Sequence, residues 1–186
     1  AYSYSPASYI PQIVSLWISR SLDLSPLLTL YLSRLSVLLT SIMMIYFAIK
    51  TTPVAKWIVL LIALMPTTVF LMASASQDAL IISSSILYLS VILRLRFDTS
   101  SKLDKKTLIA LLSLGALIPL FKPVYIPLLL FLLVIPKTKF KNSKSQISLI
   151  ILNISIATVL TLIWLFTNSY LEVVSSNQSS QFHSLI

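Results

Sequence analysis

The chain has no cysteine, one glycine (Gly115) and one histidine (His183). The first absence excludes disulfides, thiol catalysis and zinc–thiolate sites. A lone glycine excludes a Gly-rich phosphate loop and a dinucleotide fingerprint, and a lone histidine cannot form a His cluster. Acidic residues are also scarce: Asp23, Asp78, Asp98, Asp104 and Glu172 are all there are. Any acid–base chemistry must therefore use very few groups. Charge of either sign is low, at 10% of 186 residues, against about 25% in ordinary soluble domains. A water-soluble fold could not cover itself with so few charges.

What the chain has is apolar text, 57% of it hydrophobic, so lipid is its solvent. The net charge of +9 does not signal nucleic acid, because it lies on no polar face. Eleven of the fourteen Lys and Arg sit in three short connections between apolar runs: Lys50 and Lys56; Arg94, Arg96, Lys102, Lys105 and Lys106; Lys137, Lys139, Lys141 and Lys144. That is the positive-inside pattern of a multi-span protein of the cytoplasmic membrane.

The pattern predicts an all-α membrane bundle of about six short spans in one domain covering residues 1–186. Residues 1–25 read as an extracytoplasmic juxtamembrane segment. Within it Ile10, Ile13, Val14, Trp17 and Ile18 recur at helical spacing, as in a helix lying in the interface. Spans are expected over 26–49, 57–74, 79–93, 107–121, 123–136 and 146–167. Ser25-Pro26 opens the first as cap and first-turn proline, and Pro66 is expected to kink the second. The halves 107–121 and 123–136, parted by Lys122-Pro123, are short, at ~20–23 Å each. They read either as two short spans or as a re-entrant hairpin. The tail, 168–186, has no Lys or Arg and reads as extracytoplasmic, like the N-terminus. Both ends read like the middle of loops, as in a fragment of a longer chain.

Three charges stand apart from the basic loops: Arg34 within the first span, Asp78 at the start of the third and Lys122 at the turn of the short pair. A charge at membrane depth costs at least ~2.5–3.5 kcal/mol, so it normally faces a partner or a wet cavity. Two cations and a carboxylate suit a lipid-carrier phosphate and a sugar hydroxyl. The Arg fork would be bidentate and the Lys a point charge. The carboxylate could instead hold a divalent metal or act as a base. The bland alternatives are snorkelling cations and an Asp that only caps its helix. Tyr9, Tyr31 and Tyr125 fall on the same side, as sugar-stacking rings or interfacial belt residues.

The order of Tyr4-Ser-Pro-Ala-Ser-Tyr-Ile-Pro11, Tyr31-Leu-Ser-Arg34, Met65-Pro66, Ala73-Ser-Ala-Ser-Gln-Asp-Ala79, Phe121-Lys-Pro-Val-Tyr-Ile-Pro127 and Gln181-Phe182 resembles a bacterial multi-span family of unknown function, numbered twenty-one forty-two. That family in turn resembles the GT-C membrane glycosyltransferases. The resemblance implies a polyprenyl-phosphate sugar donor, a glycan or protein acceptor and, in some members, a divalent metal. It carries site roles onto Tyr9, Arg34, Asp78 and Lys122, with Tyr125 beside Lys122. It also implies that the main catalytic carboxylate lies upstream of residue 1, which would leave this chain inactive alone. A transporter or flippase of lipid-linked substrate, and a scaffold subunit, remain as other readings.

Overall fold

The structure, a computed structural model, describes residues 5–98, 103–140 and 143–183. Residues 1–4, Lys102, Lys141 and the last three residues lie outside the described residues. So do the side chains of Lys144, Glu172, Gln181, Phe182 and His183. Every described element is helical. A 3-10 turn (Pro6–Tyr9) leads into α1 (Ile10–Ser21), α2 (Pro26–Thr51), α3 (Lys56–Ala63), α4 (Pro66–Met72), α5 (Asp78–Phe97) and α6 (Lys105–Phe121). A long 3-10 helix (Pro123–Val134), a 3-10 turn (Lys137–Lys139) and α7 (Ser143–His183) follow.

Among the described residues three helices are long and apolar enough to cross a membrane: Pro26–Thr51, Asp78–Phe97 and Gln146–Tyr170. The stretch 57–74 is two short helices. Met65 precedes a proline and is pushed to extended backbone, with φ −57° and ψ 136°. Pro66 then starts α4 at a first-turn position, where its missing N–H is not needed. The result is a break, where a kink was expected. The stretch after Lys122-Pro123 winds as a 3-10 helix containing Pro127. At a rise of about 2.0 Å per residue its twelve residues reach ~24 Å. That nearly matches the ~25 Å of α6 beside it. At the far end of the chain, α7 runs without a break past residue 167 to His183.

The main core lies between α5, α6, the long 3-10 helix and α7, around Tyr88, Ile92, Leu95, Leu111, Ile118, Leu129 and Leu132. Two side chains of α7 join it to its neighbours. Gln146 Nε2 donates to the carbonyl of Ile135 at 2.9 Å, just past the end of the 3-10 helix, and to that of Leu132 at 3.3 Å, which also accepts from Ile135 N–H. Asn153 Nδ2 donates to Leu111 O at 3.1 Å, and Gly115 makes room for that amide.

α2 and α5 run parallel. Ser83 Oγ lies 3.4 Å from Met44 Sδ, and further along Thr51, seven residues past Met44, shares a cavity wall with Leu87 and Val91, four and eight past Ser83. Asp78 is therefore level with about Leu39, and α2 continues ~18–20 Å beyond it. α1 lies antiparallel along this outward part. Ser36 Oγ donates to Pro11 O at 3.0 Å at one end. At the other, Leu24 N–H returns to Ser19 O while Asp23 takes a left-handed φ of 48°. α1 buries Gln12, Ser15 and Ser19 and exposes Ile13, Val14 and Trp17. A polar face turned inward and an apolar face turned outward is the arrangement of a helix in lipid. The opposite end of the molecule is basic, with Arg94 and Arg96 in the last turn of α5 and Lys105 and Lys106 opening α6. There Lys139 Nζ reaches Asp98 O at 2.7 Å.

Candidate functional site

The start of α5 and the end of α6 meet because the two helices are antiparallel and joined at the basic end. Asp78 is the first residue of α5. Lys122 follows α6, held extended before Pro123 with φ −144° and ψ 116°. Their side chains form an ion pair, Lys122 Nζ to Asp78 Oδ1 at 2.5 Å, with 26% and 36% of the two side chains exposed. Partial exposure leaves the pair reachable from outside.

The loop before α5 positions the carboxylate. Ser76 Oγ accepts from Asp78 N–H at 3.1 Å and sits 3.4 Å from Asp78 Oδ2. Ser76 thus serves the first N–H of α5, and the Asp78 carboxylate is turned to Lys122. The chain's N-terminal segment is laid over this end. Ala7 packs on the cluster of Leu80, Ile81 and Phe121, and buried Ser8, whose hydroxyl donates to Ser5 O at 2.8 Å, has its Oγ 3.5 Å from Gln77 Oε1.

The five site residues expected from sequence are not equally gathered. Asp78 and Lys122 touch. Tyr125 sits three residues after Lys122, its N–H bonded to Lys122 O at 3.1 Å, with its ring 37% exposed. Tyr9 follows Ser8 and is half-buried. Arg34 is exposed and makes no hydrogen bond or ion pair among the described residues. It shares a helix face with Val37, Ser41, Ile45 and Ala48, the buried stripe of α2. That stripe packs towards Ala79. One turn outward, beyond the start of α5, the same face carries Arg34, ~7–8 Å above the level of Asp78.

Ser8, Ser76 and Gln77 are the partners that sequence reasoning missed. Ser76 and Gln77 belonged to a polar break that read as a plain connection, and only the fold brings Ser8 to it. Chemically, an ammonium held on a carboxylate, with an arginine further along the neighbouring α2, can receive an anion. Among the described residues no three His, Cys, Asp or Glu side chains gather as metal donors. Asp78 is already matched to an ammonium, so the donors here do not fit a divalent cation.

A family model described as a predicted membrane protein (DUF2142) matches residues 1–186. No curated protein and no solved structure matches the chain.

Proposed function

The chain belongs to the DUF2142 family of predicted membrane proteins, and from that premise we propose that it is part of a glycosyltransferase taking sugar from a polyprenyl-phosphate carrier. The observation that carries this is the Asp78–Lys122 pair at the outward end of the bundle, with Arg34 above it. In this reading the basic end faces the cytoplasm and both ends of the chain lie outside. Six crossings result if α3–α4 counts as one broken span and the α6 hairpin as two short ones. The architecture would then be GT-C-like.

Arg34 receives the carrier phosphate through its fork. Lys122 exchanges Asp78 for a second phosphate oxygen, which frees the carboxylate to accept from a sugar hydroxyl. The rings of Tyr9 and Tyr125 flank the sugar. In the transfer the bond from the anomeric carbon to the phosphate oxygen breaks, and a bond from that carbon to an acceptor oxygen of a glycan or protein forms. The acceptor's proton goes to a base, and polyprenyl phosphate leaves. The chemistry gains from cations placed where phosphate charge develops.

The test is turnover of a labelled polyprenyl-phosphate sugar by the intact membrane protein. Arg34→Gln, Lys122→Gln and Asp78→Asn should each lower turnover about 10²-fold, the usual loss for a charge-stabilising group, with expression maintained. Unchanged turnover in all three variants would sink the site. The broken α3–α4 helix favours one second reading, transport of a lipid-linked substrate. Labelled substrate crossing the bilayer with its sugar–phosphate bond intact would establish that instead.

A further inference from the structure

An apolar cavity of about 360 Å³ lies between α2 and the broken α3–α4 pair. Leu38, Ile42 and Ile45 form one wall, and Leu60, Ala63 and Met72 form the other. Its outward end is Leu38 and its inward end on α2 is Ile49, ~16 Å away. Arg34 stands at i−4 from Leu38, at the border between the stripe that packs on α5 and the stripe that lines the cavity.

We infer that this groove takes the hydrocarbon chain of a phosphate-headed lipid whose head sits at Arg34. The inference rests on the phosphate site proposed above and adds the path of the chain. Charge complementarity selects the occupant. Cations stand at both ends of the groove: Lys56, at i−4 from Leu60, at one, and Arg34, which has no described partner, at the other. The phosphate site proposed above places the head at the Arg34 end, nearest the Asp78–Lys122 pair. The lining is apolar apart from the Tyr46 hydroxyl. An extended peptide would leave its N–H and C=O groups unsatisfied there. The break at Leu64-Met65 keeps the groove open, since a continuous helix would run straight along α2.

The experiment uses the protein in nanodiscs with a long-chain monoalkyl phosphate carrying a diazirine at its chain terminus. Cross-links are mapped by mass spectrometry, and the alkanol of the same chain serves as control. The expected result is phosphate-dependent labelling around Ile49 and Leu60. Arg34→Gln should reduce it at least about tenfold, as losing a charge-assisted hydrogen bond would. Ala63→Leu, which fills the groove, should abolish it in a protein that still folds. Equal labelling by phosphate and alkanol, spread over the lipid-facing side of α7 as well, would mean ordinary bilayer contact and overturn the inference. Arg34-dependent labelling that avoids the groove would overturn the chain path and leave the phosphate site standing. Groove labelling in a protein that transfers no sugar would uphold the inference and remove the glycosyltransferase reading.

Discussion

Gly115 is where a single methyl group decides the packing. A Cβ built there would overlap the Asn153 amide, whose Nδ2 is bonded to Leu111 O. Alanine is the better helix former by about 1 kcal/mol, but overpacking a buried contact costs about 1–3 kcal/mol. Gly115→Ala should therefore lower thermal stability in detergent. Adding Asn153→Ala should recover part of the loss, so that the two changes are not additive. Additive losses would mean that the two residues do not share this contact. The same scale explains what could be read of the site. Asp78 and Lys122 were legible because a charge in apolar text needs a reason. Their pairing follows from the antiparallel α5 and α6. Ser8 was not legible, since a serine in a polar loop looks like any other until the loop is folded back over α5.

At the scale of elements, the long runs α2, α5 and α7 were legible from apolar length alone. The broken ones were not, because their form depends on one backbone choice each. Met65 settles in extended backbone before Pro66. In Pro66→Ala the restriction on Met65 disappears, and α3 can join α4. The variant should melt at a higher temperature and lose activity as the groove narrows, a stability–function exchange. A gain in stability with full activity would show that the break is incidental. The 3-10 helix depends similarly on Gln146, which serves the Ile135 and Leu132 carbonyls. Gln146→Leu leaves the Ile135 carbonyl without its side-chain donor and should cost about 1–3 kcal/mol, seen as a lower midpoint in thermal unfolding. The continuation of α7 past residue 167 escaped the sequence reading for a simpler reason. Polar residues end an apolar run, but with no Gly or Pro there nothing ends the helix.

For the whole molecule, the basic residues at one end and the Asp78–Lys122 pair at the other define an axis about one hydrocarbon thickness long. From Asp78 to Arg94 is ~24 Å along α5, against ~30 Å for the bilayer core. α2 overshoots Asp78 outward by ~18–20 Å and carries α1 with it. The ion pair is thus recessed beside the lipid-facing α1–α2 hairpin. Orientation decides whether this recess faces outward, and the absence of cysteine makes that directly measurable, because any introduced thiol is unique. In the positive-inside arrangement, Asp23→Cys, at the turn between α1 and α2, should react with an impermeant maleimide in intact cells. Lys137→Cys, beside the basic end of the 3-10 helix, should react only after the membrane is opened. Both residues are exposed, so protection cannot be blamed on packing. If Lys137→Cys labels in intact cells and Asp23→Cys does not, the recess faces the cytoplasm, and a donor presented outside could not reach Lys122.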